Sequence, residues 1–157
     1  MNKTLYPWLG LVGWIILCFA APAVSASIPP GSWYAGINKP TWNPPGWIFG
    51  PVWTFLYVTM AIAAWRVWLK GGFREQRKAL GLFLLQLALN AAWTPIFFGA
   101  HWLGVAFVEI LLLWTAILLT LLAFHKVDKL AAGLLVPYLA WVSFASVLNF
   151  TLWRLNA

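Results

Sequence analysis

Apolar residues run along this chain in long blocks, and the polar positions between the blocks mark turns. Near 5–26, 47–69, 79–98, 102–124 and 130–153 the sequence stays apolar for about the 20 residues that a helix needs to cross a bilayer. Strands of a membrane barrel would alternate apolar and polar residues, and runs such as Leu80 to Ala92 and Val105 to Phe124 do not. The pattern predicts an all-α membrane protein, a bundle of five transmembrane helices in a single domain over 1–157. One long structured loop, 27–46, joins the first two helices. Residues 1–26 also have the outline of a secretion signal, with Lys3, an apolar stretch and Val24-Ser25-Ala26. The apolar part is long for that role and carries Trp8 and Trp14, so a retained first helix is expected.

Composition narrows the class further. The 157 residues are 63% hydrophobic and 8% charged, with more apolar surface than a soluble domain of this size can hide. The net charge is +7, and its placement sets an orientation. Lys3, Arg66, Lys70, Arg74, Arg77, Lys78, Lys126 and Lys129 fall at one face of the membrane, and only Lys39 and Arg154 at the other. Because basic residues concentrate on the cytoplasmic side, the N-terminus is expected inside and the long loop and C-terminus outside. A bacterial cell membrane fits this asymmetry, with the outer membrane of a bacterium or mitochondrion as the alternative. The cluster at 70–78 suits anionic lipid headgroups, and no nucleic-acid partner is expected. Cys18, the single cysteine, cannot form an intrachain disulfide.

Polar side chains inside the apolar blocks fall on stripes. In the second helix Trp53, Tyr57, Met60 and Ala64 share a face, in the third Gln86, Asn90, Trp93 and Phe97, and in the fifth Tyr138, Trp141, Ala145 and Asn149. Polar groups at bilayer depth need partners, so these stripes turn inward, toward one another or toward a ligand. Trp65 and Trp68, beside Arg66 and Lys70, read as an interfacial belt. Pro22, Pro95 and Pro137 are expected to bend their helices, and Pro95 leaves the Ala91 carbonyl without its usual donor. Glu109 is the only acid expected inside the membrane. A charge there costs roughly 2.5–3.5 kcal/mol on the insertion scale for Asp, Lys or Arg. Its role is either a hydrogen bond to a neighbouring helix or proton or substrate coupling, and the lack of a second intramembrane acid favours the former.

The loop is stiff. Pro40, Pro44 and Pro45 fix φ and lack an N–H, and Trp42 and Trp47 add large rings with a polar edge. Lys39, Pro40, Trp42, Pro44 and Pro45 are therefore expected to form a lid over the helices, with Lys39 pairing with an acidic group of a ligand. There is no Gly-rich phosphate loop, no Cys-x-x-Cys pair and no pair of carboxylates at catalytic spacing. His101 and His125 fall at opposite membrane faces and cannot share a metal, so neither a metal site nor a cofactor is expected. What remains is an aromatic pocket with amide and indole donors, suited to a large flat lipophile. A purely structural or regulatory membrane protein is the competing class.

The chain resembles the translocator protein family (tryptophan-rich sensory proteins, TspO/MBR, also called peripheral benzodiazepine receptors). The matching blocks are Trp33-Tyr34-Ala35-Gly36, Lys39-Pro40-Thr41-Trp42-Asn43-Pro44-Pro45, Gly50-Pro51-Val52-Trp53, Leu87-Ala88-Leu89-Asn90, Pro95-Ile96-Phe97-Phe98-Gly99-Ala100 and Pro137-Tyr138-Leu139-Ala140-Trp141. The resemblance implies a five-helix bundle, often a homodimer, whose first loop caps a pocket for porphyrins such as protoporphyrin IX, for sterols and for synthetic lipophiles. The porphyrin is then a ligand rather than a cofactor. It also implies that Tyr34, Trp53, Asn90, Trp93, Trp141 and Ala145 line that pocket. Trp53 and Trp141 match the pair implicated in light-dependent porphyrin breakdown by some members, and Glu109 sits where relatives often carry an acid. Two positions depart from the family pattern. Phe150 and Thr151 stand where animal members carry a sterol-contacting Tyr before the terminal Arg, and Gly81 is followed four residues later by Leu85, which interrupts the small-residue dimer motif.

Overall fold

The computed structural model describes residues 5–157; Lys3 of the charge pattern lies outside the described residues. The chain forms α1 (Leu5–Ala26), α2 (Gly31–Gly36), a 3-10 turn at Gly46–Ile48, α3 (Phe49–Trp68), α4 (Gly72–Glu75), α5 (Arg77–Thr94), a π turn at Pro95–Gly99, α6 (Leu103–His125) and α7 (Lys129–Leu155). Five of the helices are long and apolar enough to cross a membrane, and the molecule is an integral membrane protein. The boundaries follow the hydrophobic blocks closely. The second span differs by opening in a 3-10 turn, and the third begins two residues before its apolar block, at Arg77.

Two local departures have backbone causes. The 27–46 loop is not wholly irregular, because Pro30, at φ −55° and ψ −40°, is already helical and starts α2. Pro95 cannot donate to the Ala91 carbonyl, and here the helix widens rather than simply bending. The Ala100 N–H reaches the Pro95 carbonyl at 2.8 Å, and the Trp102 N–H the Ile96 carbonyl at 3.1 Å. His101, with φ +60°, then turns the chain into α6.

α6 packs between α5 and α7, while α3 packs against α1 and α7. Lipid removes most of the hydrophobic drive between helices, so close approach of small residues carries the packing. Ala61, Ala63 and Ala64 of α3 are fully buried, and α1 contributes Trp14, Cys18 and Ala21 to the same core. A Cβ on Gly10 would lie 2.4 Å from the Trp68 ring, so this glycine lets α1 and α3 meet. The Trp68 ring also packs on Tyr6 at 5.3 Å, and the Trp65 indole donates to the Pro7 carbonyl at 2.7 Å. These two tryptophans, expected as an interfacial belt, also bind α1 to α3.

Arg66, Lys70, Arg74, Arg77, Lys78, Lys126 and Lys129 gather at the end of the bundle that holds the α3–α5 and α6–α7 turns. There Asp128 caps α7, accepting from the N–H groups of Leu130 (2.9 Å) and Ala131 (3.1 Å), and pairs with Arg66 at 2.9 Å. Burial pushes the Asp128 carboxyl up, but the two N–H groups and the guanidinium outweigh it and hold the group below its ordinary value.

Candidate functional site

At the opposite end, beneath the 27–46 loop, the helices enclose a cavity of about 660 Å³. Every long helix reaches it: Phe19 and Pro22 from α1, Trp53 and Tyr57 from α3, Asn90 and Trp93 from α5, Ile110 and Leu113 from α6, Trp141 and Ala145 from α7. The lid adds Tyr34, Asn43 and Pro44. No charged side chain among the described residues lines the space. Its walls are aromatic and aliphatic with a few convergent amides and hydroxyls, the make-up of a small-molecule pocket.

The floor is a chain of buried hydrogen bonds that ties α3, α5 and α7 together. The Tyr57 hydroxyl donates to Asn90 Oδ1 at 2.5 Å, and Asn90 Nδ2 donates to the Tyr138 hydroxyl at 2.9 Å. Tyr138 donates in turn to Gln86 Oε1 at 2.8 Å, and Gln86 Nε2 reaches Met60 Sδ at 3.8 Å. Gln86 is spent on helix–helix bonding. Asn90 borders the cavity and keeps one N–H and one lone pair beyond these bonds. Trp93 Nε1 donates to Asn149 Oδ1 at 3.0 Å, and Asn149 Nδ2 to the Leu103 carbonyl at 3.0 Å, so that indole is fixed as well. Trp53 stacks on Tyr57 at 5.5 Å and meets Tyr138 edge-on at 6.2 Å, which sets the plane it presents.

The lid is pinned at several points. Trp33 lies flat on His101 at 4.0 Å, Tyr34 meets Phe98 edge-on at 5.3 Å, and Trp42 meets Phe144 at 5.9 Å. Asn38 and Asn156 join it to the end of α7. The Tyr34 hydroxyl donates to Asn43 Oδ1 at 3.3 Å within the lid itself.

Tyr34, Trp53, Asn90, Trp93, Trp141 and Ala145 all stand on the wall of this one cavity. Of the expected lid residues Pro44 lines it, while Lys39, Pro40, Trp42 and Pro45 do not. The Lys39 ammonium makes its contacts within the lid. Its Nζ donates to the Ala35 (3.3 Å) and Ile37 (3.2 Å) carbonyls and lies 4.8 Å over the Tyr34 ring, where it braces the lid. Glu109 is buried at 7% exposure and does not line the cavity, although Ile110 and Leu113 beside it do. The hydrogen bond expected of it is absent: both carboxyl oxygens are buried without a partner among the described residues. Sequence reasoning missed the α1 contribution, Phe19, Pro22 and Ser25. Ser25 reads as the polar end of a helix, yet its Oγ donates to Thr94 Oγ1 at 3.1 Å and closes the cavity rim.

Residues 10–154 match the model of the TspO/MBR family. The chain is 46% identical to the tryptophan-rich protein TspO of Chlorobaculum tepidum over 161 residues, covering 99% of each chain. It is 44% identical to the human translocator protein over 155 residues, covering 96% of this chain and 92% of the relative. It is 39% identical to the tryptophan-rich sensory protein of Cereibacter sphaeroides over 149 residues, with 95% and 92% covered. An aromatic, lid-covered cavity inside five spans and a match over nearly the whole length lead to one conclusion: the chain belongs to the TspO/MBR family.

Proposed function

We propose that this protein binds porphyrins such as protoporphyrin IX, and similar flat lipophiles, in the cavity beneath the lid, as a sensor, scavenger or carrier. The observation that carries this reading is the cavity itself: about 660 Å³, bordered by Trp53, Trp93 and Trp141 and by no charged side chain among the described residues. That volume lies within the roughly 300–1,000 Å³ usual for small-molecule sites. Indole faces attract a flat conjugated ring by stacking, and the spare Asn90 N–H can meet one acceptor on its edge. Carboxylates of such a ligand stay at the lid mouth, in contact with water, because the cavity offers them no counter-charge. Names such as translocator and sensory protein, borne by relatives, support the same class of role.

The orientation that suits the charge pattern puts the Asp128 end in the cytoplasm and the lid outside, and a homodimer is the expected assembly. Binding is tested by quenching of intrinsic tryptophan fluorescence with protoporphyrin IX in nanodiscs. A saturable signal that Trp53→Phe with Trp141→Phe weakens at least tenfold supports the site. Signal unchanged in that double variant moves the ligand elsewhere. Flux into liposomes above that of empty vesicles then separates a carrier from a binder.

A further inference from the structure

Outside the cavity wall, on the face turned to the acyl chains, lies a second space of about 400 Å³. It is an open groove between α3 and α7, bounded by Val52, Phe55 and Leu56 on one side and Pro137, Ala140 and Phe144 on the other. Trp141 is the one residue that borders both the groove and the cavity. On each helix neighbouring residues divide between the two spaces. Val52 faces the groove and Trp53 the cavity; Ala140 faces the groove and Val142 the cavity.

We propose that flat lipophiles reach the cavity sideways from the bilayer, through this groove, with the Trp141 indole as the door. The inference rests on the binding function proposed above. Three features support it. Trp141 is held by ring contacts, edge-on to Phe49 at 5.9 Å and tilted on Phe144 at 5.5 Å, which a passing aromatic ring can replace one for one. Small residues lie one position before it (Ala140) and four after it (Ala145), leaving room on both sides for the indole to swing. Pro137, one turn earlier, lacks the N–H that would bond the Gly133 carbonyl, so α7 is least braced just below the door. A lipophile dissolved in the membrane also meets the groove without crossing water, whereas the lid route requires both a passage through water and the release of the lid contacts.

The test measures protoporphyrin IX binding and release by stopped-flow fluorescence in phosphatidylcholine nanodiscs. Ala140→Phe fills the groove without touching the cavity, and Val52→Phe fills it from the other helix. Asn156→Ala loosens the lid. With a lateral door, each filling variant slows association and dissociation together by at least tenfold, leaves Kd within twofold, and Asn156→Ala changes neither rate. Unchanged rates in a filling variant of unaltered Kd, with acceleration of both by Asn156→Ala, overturn the lateral door and assign access to the lid. An absence of quenching in the unsubstituted protein overturns the binding function instead, and the door with it. Should one filling variant fail to fold, the other decides.

Discussion

The carboxamide of Asn156 grips the backbone of Asn38 from both sides, although 118 positions separate them. Its Oδ1 accepts the Asn38 N–H at 2.9 Å, and its Nδ2 donates to the Asn38 carbonyl at 2.9 Å. The same Nδ2 also donates to the Leu152 carbonyl at 2.8 Å, which orients the amide. Only an amide supplies a donor and an acceptor in this geometry, so one side chain latches the lid to the end of α7.

Loss of that latch should loosen the lid more than the bundle. The bonds are exposed, where each contributes about 0.5–1.5 kcal/mol or less. Asn156→Ala is expected to raise hydrogen exchange across residues 31–45 while leaving α5 and α6 protected, as read by mass spectrometry. Asn156→Asp keeps the acceptor and loses the donor, and should fall between the two. Uniform loss of protection throughout the chain would show that the amide serves global stability instead.

The buried chain through Asn90 leads to a sharper expectation. Asn90→Leu removes the acceptor for Tyr57 and a donor to Tyr138, leaving the Tyr57 hydroxyl without its partner. Leaving a buried polar group unsatisfied costs about 1–3 kcal/mol, and hydrogen bonds between membrane helices average about 0.6 kcal/mol. Asn90→Leu should therefore lower Tm by several degrees, and Tyr57→Phe should recover part of that loss in the double variant. A double-mutant cycle in detergent measures the coupling, and strict additivity would contradict the chain.

Glu109 should behave in the opposite way. Both its oxygens are buried with no partner among the described residues, so the native state carries their desolvation uncompensated. Glu109→Gln, and more so Glu109→Leu, should raise Tm. A fall in Tm on both changes would mean that the carboxyl has a partner in the membrane, and proton uptake on ligand binding would be the next measurement.

The sequence made the bundle legible because lipid imposes a simple rule: long apolar blocks become helices, and inward polar stripes become their contacts. Gln86, Asn90, Trp93 and Tyr138 declare themselves that way. Pro40, Pro44 and Pro45 mark a stiff loop equally plainly. The same rule hides apolar cavity walls, since Phe19, Ile110 and Leu113 have the character of any lipid-facing residue. It also leaves Trp65 and Trp68 ambiguous, since their N–H and ring faces suit a headgroup belt and a helix contact equally well. Lys39 shows the same limit: its charge marks a donor, but does not say that the carbonyls and ring of its own loop are among its partners.

Asp128 carries the one pH dependence that can be worked out with its sign. Its carboxyl lies below its ordinary value of 3.8 in the folded protein. A group lowered on folding contributes stability that is fully present above the unfolded value and lost as pH falls through the folded value. The contribution should thus be constant across about pH 5 to 8 and disappear only below 3.8. Asn at this position can still cap α7 but cannot pair with Arg66, whereas Ala loses both and should cost about 0.5–2 kcal/mol from the cap alone. Thermal melts of the protein and of Asp128→Asn as a function of pH isolate the ion pair, because the other two acidic side chains, Glu75 and Glu109, are the same in both proteins. The gap between the two curves should close on acidification below 3.8; a gap that stays open there would place the stabilisation in packing rather than in the charge.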